Sequence, residues 1–338
     1  MDNCVLVTGG AGYIGSHVVK ELRRQGYQPL VYDNLSTGHR WAIKGDELIE
    51  GDMGDKRYLH EILRKKKPLA VMHFAASAIV GESVGRPEFY FRNNVINTFN
   101  LLEAMLACEV KYFIFSSSAA VYGNPHQVPI PEDHPLNPVN PYGESKVFVE
   151  KALRWYEEAH GLEYISLRYF NAAGADPEGE LGEAHNPETH LIPLILAVAA
   201  GERPFVEIYG TDYDTPDGTC IRDYIHVTDL AQAHILSLEA LLNGATRRVY
   251  NLGNQRGFSV SEVVDVARMV TSHPIPVRES SRRKGDPAVL VASSERIKKE
   301  LGWKPQYDDC KAIVETAWGW EKKKERVDNG KQGWDSQA

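Results

Sequence analysis

The apolar run Val5-Leu6-Val7 leads into three spaced glycines, Gly9, Gly12 and Gly15, after which Val18, Val19 and Leu22 recur at helical spacing. The pattern reads as a buried strand, a tight turn and a helix in immediate succession. In a parallel βαβ unit each glycine has a task. One turns the chain, one lets the backbone approach a pyrophosphate, and one seats the helix on the strand. The helix N-terminus then offers N–H groups and the positive end of its dipole to phosphate. A second strand signal, PLVYD, ends at Asp33. That is close to the spacing of about 20 residues at which a carboxylate meets the 2′-hydroxyl of an adenosine ribose. A carboxylate there repels a 2′-phosphate, so the pattern predicts NAD rather than NADP. The plainer use of Asp33 or Asn34 is to cap a helix, and nearby Arg40 is the feature that would suit a 2′-phosphate.

Tyr142 and Lys146 stand four residues apart in PYGESK, downstream of the serine run in FSSSAAVYG. A phenol and an ammonium at that spacing share one helix face. The ammonium is expected to favour phenolate, drawing the tyrosine down from its usual value of about 10. Ser118, at the end of a predicted strand, can bond the same substrate hydroxyl. Together they suit removal of a proton from an alcohol while another group takes its hydride. The alternative is an ordinary exposed helix turn.

At 338 residues the chain is long enough for one large domain and a smaller lobe. A net charge of −8 gives no general electrostatic footprint for nucleic acid. The basic run Arg64-Lys65-Lys66-Lys67 reads as a solvated helix end. No apolar stretch nears the roughly 20 residues that span a membrane, and no signal peptide precedes the first strand. Cys4, Cys108, Cys220 and Cys310 are isolated, with no CxxC or Cys/His cluster. That argues against disulfides and a structural metal, and makes a reducing cytoplasm the expected compartment.

Strand and helix signals alternate through the first half. LAVMHFAA (69–76), KYFIFSSS (111–118) and EYISLRYF (163–170) read as strands; 88–107 and 142–160 read as helices, the second closed by Gly161. The alternation predicts an α/β fold, a doubly wound parallel sheet with helices on both faces. Ligands of such sheets sit beyond the carboxyl ends of the strands. Asp33, Asp52, Phe74 to Ala76, Ser116 to Ser118 and Asn171 all fall there. Past residue 171 the pattern loosens into a glycine- and acid-rich loop (174–189), the helix LIPLILAVAAG and the strands FVEIYG, CIRDYIHV and VYNLG. Ser259 and Glu262 form a capping-box signature. The expected division is a cofactor domain over 1–171, a substrate lobe with interleaved segments over 172–325, and a frayed polar tail over 326–338.

In their joint order VLVTGGAGYIGSH, HFAA, VGESV, FRNNV, FIFSSSAAVYG, PYGESK, LRYFNAAGA, THLIP, GTCIRDYIHV and RRKGDPA resemble the extended short-chain dehydrogenase/reductase family. Within it, the resemblance is to the UDP-galactose (UDP-glucose) 4-epimerases, over about residues 4–320. The resemblance implies a Rossmann-type fold, NAD that is retained rather than consumed, and a UDP-sugar inverted at C4 through a transient 4-keto sugar. It also implies a homodimer through the helices at about 88–107 and 142–160. In the family's pattern Tyr142 matches the base, Lys146 the residue that lowers its pKa and holds the nicotinamide ribose, and Ser118 the hydroxyl partner. Gly9, Gly12, Tyr13, Ile14, Gly15, Asp33, Asn34, Asp52 and Met53 match cofactor positions, as do Phe74, Ala75, Ala76, Asn93, Ser116 and Phe170. Arg222 and Arg283 match pyrophosphate and ribose contacts, Asp286 a ribose contact, and Glu207, Ile208 and Tyr209 a segment whose backbone meets uracil. Asn171, His190, Leu191 and Leu290 match other substrate positions. Either arginine has a surface ion pair as its plainer role.

Departures from the pattern carry information. Ala78 stands where some epimerases place a lysine, and His190 where many place asparagine. Leu290 replaces a tyrosine that some members set against the sugar, which leaves room for a 2-acetamido group. The related dehydratases need an acid pair where this chain has Ala119 and Ala120, and the decarboxylases a glutamate at the second of those positions. A 4-epimerase of another UDP-sugar, a pentose or a uronate, is the nearest alternative. A NAD-sensing regulator without chemistry and a net NAD-consuming dehydrogenase are the readings from other classes.

Overall fold

The structure, a computed structural model, describes residues 3–246, 248–283 and 286–330, with the backbone alone for 325–330. In chain order the strands are β1 (Cys4–Thr8), β2 (Gln28–Asp33), β3 (Glu47–Glu50), β4 (Ala70–His73), β5 (Tyr112–Ser118), β6 (Glu163–Tyr169) and β7 (Asn171–Ala173). They continue as β8 (Val206–Tyr209), β9 (Ile221–His226), β10 (Val249–Leu252), β11 (Gly257–Ser259), β12 (Val277–Ser280) and β13 (Val289–Leu290). The helices are α1 (Tyr13–Arg24), α2 (Lys56–Lys66), α3 (Val80–Gly85), α4 (Pro87–Phe91), α5 (Asn97–Ala107) and α6 (Pro141–His160). After them come α7 (Leu191–Ala199), α8 (Val227–Leu242), α9 (Val260–Thr271), α10 (Glu295–Leu301) and α11 (Cys310–Gly330).

Burial on both faces explains why the central strands read as unbroken apolar runs: all four residues of β4 are buried. These strands form one parallel sheet in the order β10-β6-β5-β4-β1-β2-β3. The chain winds outward from β1 through β2 and β3, then returns to lay β4 on the other side of β1. The order reverses there, which opens a crevice beyond the strand ends. Register brings those ends level, with Thr8 opposite both Tyr32 and His73. Gly9, Asp33 and Phe74 therefore leave the sheet together. One face is covered by α1 and α8 through Val18, Leu22, Leu230 and Leu238, the other by α2, α5 and α6 through Leu59, Leu101, Met105 and Leu153.

Past β6 the chain builds a second set of elements. β7, β9, β11 and β13 make a small sheet, β8 pairs β12, and α7, α9 and α11 share a core around Ile195, Val263 and Ile313. The chain recrosses to the main sheet for α8, β10 and α10, so segments of the two regions alternate. The predicted helix over 88–107 is interrupted: α4 and α5 are joined by a π-helical turn at Arg92–Ile96. The strand expected over 69–76 stops at His73, and the next ring, Phe74, packs against His234 of α8 at 4.8 Å between centres. The expected tail is helical as far as Gly330, and residues 331–338 lie outside the described residues. Among the described residues no helix is long and apolar enough to cross a membrane.

Candidate active site

The glycine turn is built by close approach. A Cβ on Gly9, where φ is +72°, would lie 2.5 Å from the Ala75 nitrogen, and one on Gly15 would lie 2.2 Å from the Gly9 oxygen. Only hydrogen fits at either position. Gly12 is the N-cap of α1; it has no side chain to satisfy the first-turn amides, and that turn carries no acid. The amides of an uncapped helix start need an outside acceptor, which suits a phosphate. Asp33 is buried at the end of β2 and accepts the Ala11 amide at 2.9 Å and the Leu35 amide at 2.8 Å. Burial pushes its carboxyl up and those two amides oppose the rise. Asn34 donates to Asp52 at 2.8 Å. Together with Ala11, Thr37, His39 and His185, the turn borders a groove at the start of α1. A dinucleotide diphosphate suits these uncapped amide donors.

Not every expected cofactor residue presents its side chain there. The Tyr13 hydroxyl donates to the Gly174 carbonyl at 2.7 Å, tying the turn to the loop after β7. Ile14, Met53 and Phe170 pack into three separate apolar clusters. Phe74, Ala75 and Ala76 follow β4 half-buried, and the Phe74 amide donates to the Thr8 carbonyl at 2.8 Å. Asn93 donates to the Ser77 hydroxyl at 3.0 Å.

At the end of β5 the expected trio is brought together. The Asn140 side chain accepts the Gly143 amide at 2.8 Å, and Pro141 occupies the first turn. These fix where α6 starts, and so where Tyr142 and, one turn on, Lys146 point. Tyr142 is 8% exposed and faces the Ser118 hydroxyl, which itself accepts the Ala120 amide at 3.2 Å. Lys146 donates to the Ser116 carbonyl at 2.8 Å and stands 5.8 Å from the centre of the Tyr142 ring. Burial pushes Lys146 down to about 7, against the pull of the Glu150 carboxylate. The phenol of Tyr142 is pushed up by burial, with the Ser118 hydroxyl opposing. The expected lowering of Tyr142 by Lys146 is therefore not seen. Removal from water outweighs it, and the ammonium is engaged by a carbonyl.

Two residues escaped the sequence reading. Buried Asn94, neighbour of the expected Asn93, bonds the Ser77 amide at 2.9 Å, the Ser77 carbonyl at 2.9 Å and the Ser145 hydroxyl at 3.1 Å. It ties the loop after β4 to α6. The signal was present in FRNNV, but the string does not say which asparagine turns inward. Tyr169, from LRYF, bonds the Ser116 hydroxyl beside Lys146.

The second region contributes a separate group. Register sets Arg222 of β9 beside Leu290 of β13, and Arg222 pairs with Asp286. Its plainer role, an ion pair, is thus the one observed here. The Arg283 guanidinium lies 4.1 Å from the centre of the Tyr209 ring. Glu207 accepts the Tyr209 hydroxyl at 2.7 Å, and Ile208 is buried. Among the described residues β8 pairs only with β12, so its other backbone edge has no strand against it. Asn171 donates to the Asp223 carbonyl at 3.0 Å. His190 is the backbone N-cap of α7, ahead of Leu191, and its ring bonds Glu183. Burial works against charge on His190, but Glu183 outweighs it and raises the group to about 9.

Comparison with known proteins agrees with this geometry. The profile of the NAD dependent epimerase/dehydratase family matches residues 5–253. The chain is 54% identical over 318 residues to UDP-glucose 4-epimerase of Halalkalibacterium halodurans, covering 94% of this chain and 95% of that protein. A crystal structure of UDP-glucose 4-epimerase from Brucella ovis in complex with NAD superposes with a TM-score of 0.91, at 51% identity over 94% of this chain and 97% of that one. The Bifidobacterium longum enzyme in complex with NAD+ and UDP gives 0.90, at 39% identity over 95% and 99%. The chain belongs to the NAD dependent epimerase/dehydratase family, in the group of the UDP-glucose 4-epimerases.

Proposed function

We propose that the protein interconverts UDP-galactose and UDP-glucose by inverting C4, with NAD held throughout in the crevice between β1 and β4. In this reading residues 1–171 are the cofactor domain and 172–325 the UDP-sugar lobe. The observation that carries it is the buried Tyr142–Ser118 pair with Lys146 one turn on, at the end of β5. When bound, NAD would supply a hydride acceptor and later donor for sugar C4, and the positive charge of its oxidised nicotinamide. That charge and the Lys146 ammonium both favour phenolate, against the burial that disfavours it. Tyr142 takes the 4-hydroxyl proton as general base and returns it at the end, while Ser118 holds the hydroxyl. The backbones of Gly9 to Gly15, with Asp33, Asn34, Asp52, Met53, Phe74 to Ala76, Asn93 and Ser116, hold the dinucleotide.

Between the two halves of the reaction the 4-keto sugar must turn over while its nucleotide stays fixed. Arg222 and Arg283 grip the diphosphate and ribose with paired donors, and Asp286 assists at the ribose. The edge of β8 over Glu207 to Tyr209 receives uracil. Asn171, His190, Leu191 and Leu290 are the further residues assigned to the substrate. Ala119 and Ala120 carry no acid, which disfavours elimination of water from the keto intermediate. Leu290 is smaller than tyrosine, so UDP-N-acetylglucosamine is a second expected substrate. The enzyme pairs with a second copy through α4 to α6 and works in the cytoplasm, a compartment that suits the free thiols of its four cysteines.

Purified protein incubated separately with UDP-galactose, UDP-N-acetylglucosamine, a UDP-pentose and a UDP-uronate tests this by NMR of the products. UDP-galactose should convert to UDP-glucose with no net rise in reduced-nicotinamide absorbance. Accumulation of reduced cofactor in step with substrate loss would make the protein a dehydrogenase instead. Brisk turnover of UDP-galactose with none of UDP-N-acetylglucosamine would remove the second substrate alone.

A further inference from the structure

Glu183, His185, Glu188 and His190 stand two, three and two residues apart, on the segment that ends at α7. Each offers one ligand atom, and these atoms lie within 4.8 Å of one another. His185 Nδ1 is 2.9 Å from Glu183 Oε1 and 3.8 Å from Glu188 Oε2. His190 Nδ1 touches that same Glu183 oxygen and is 3.9 Å from Glu188 Oε1. Four donors about 2.0 Å from a common tetrahedral centre are about 3.3 Å apart; the spacings that involve His185 and Glu188 bracket that value, and His190 must draw back from the Glu183 oxygen to reach it.

The donors are also held from behind. Trp320 donates its indole N–H to the Glu183 carbonyl at 2.9 Å. Glu188 accepts the amides of Thr189 and His190 at 2.7 and 2.8 Å. The His185 ring meets Tyr13 edge-on at 6.2 Å between centres. The Glu183 side chain is only 5% exposed, a carboxylate withdrawn from water beside two imidazoles.

From this geometry we propose that Glu183, His185, Glu188 and His190 are the ligands of a tetrahedral site for a zinc-class divalent ion. An ion that binds here displaces the proton His190 shares with Glu183, after which two carboxylates and two neutral imidazoles balance the charge of a dication. A mixed nitrogen and oxygen set suits zinc, cobalt or nickel better than magnesium or calcium. The ion cross-links a segment whose Gly182, Ala184 and His185 line the groove beside Gly12 and Tyr13, and so fastens one wall of that groove. It takes no part in the chemistry, and the site stands whether or not the protein is an epimerase. A search keyed to cysteine misses it, because every ligand is histidine or glutamate.

The full chain, stripped with a chelator and dialysed, is titrated with Zn2+ by calorimetry and with Co2+ by visible absorption. We expect one Zn2+ per chain, a four-coordinate Co2+ spectrum, and a melting temperature that rises with Zn2+. Glu183→Gln should weaken binding by more than about 100-fold and abolish the other two signals. Should that variant fail to fold, His185→Ala combined with Glu188→Gln leaves the buried Glu183 side chain in place and carries the comparison. Wild-type binding no tighter than that of the double variant, or a six-coordinate Co2+ spectrum, overturns the proposal. The cluster would then be an ion pair of Glu183 with protonated His190.

Discussion

Lys146 is 4% exposed, and its nitrogen donates to the Ser116 carbonyl. Burial brings it to about 7, although Glu150 opposes the shift. In the unfolded chain a lysine keeps its proton to about 10.4. Between those two values the unfolded state binds more protons, so this group makes stability rise with pH. Below about pH 7 both states are protonated, and the full cost of the buried ammonium is present. Lys146→Met removes that cost. In nucleotide-free protein the variant's stability advantage should be largest at or below about pH 7 and shrink toward pH 10, by up to about 1.4 kcal/mol per pH unit. Urea unfolding at neutral and alkaline pH measures it, and an advantage that grows with pH would contradict the buried-charge account. Tyr142 invites a different test, because its ring fills space while its oxygen is the proposed base. Tyr142→Phe should lower kcat by about 10²–10⁴-fold while NAD and UDP binding persist. Near-normal turnover in that variant removes Tyr142 from the role of base.

Whole elements decide where these side chains point. The start of α6 rests on the Asn140 side chain and Pro141. Asn140→Ala should destabilise the protein by about 1 kcal/mol and slow turnover as Tyr142 loses its fixed position, whereas Asn140→Asp keeps the cap and both properties. Wild-type stability in the alanine variant would show that something else starts the helix. Elements of this kind were legible in the sequence because their causes are local. The capping box at Ser259 and Glu262 forms both of its bonds as the string predicts, and the glycine turn is dictated by contacts within one βαβ unit. The π-helical turn in the stretch 88–107 was not legible. Asn94, within that turn, bonds Ser77 and Ser145, and the string contains no trace of either partner. The two residues of β13 are a strand only because β9 runs beside them, from far away in sequence. Likewise the spacing of Tyr142 and Lys146 was readable, but the depth of their burial, which sets both pKa values, belongs to the folded sheet.

For the molecule as a whole, α6 has two faces with different tasks. Lys146, Val149 and Leu153 turn inward, while Phe148 and Trp155, seven residues apart, stand 53% and 59% exposed. The π-helical turn packed against α6 adds Ile96 at 52%, and Phe91 meets Phe148 edge-on at 5.9 Å between centres. Single exposed apolar side chains are ordinary, but a group spread over adjoining helices marks a surface made to be covered. In the proposed dimer a second copy related by a two-fold axis would present the same face to it, so that one patch would close the interface from both sides. The catalytic helix would then be clamped between its own sheet and its partner, which links assembly to the stability of the site. Size-exclusion chromatography with light scattering should give twice the 37.8 kDa of one chain. Phe148→Glu combined with Trp155→Glu should give a single chain, with a lower melting temperature and reduced turnover, since two carboxylates cannot be buried unpaired. A wild-type monomer at micromolar concentration, or a double variant that still pairs, would mean that some other surface joins the subunits or that none does.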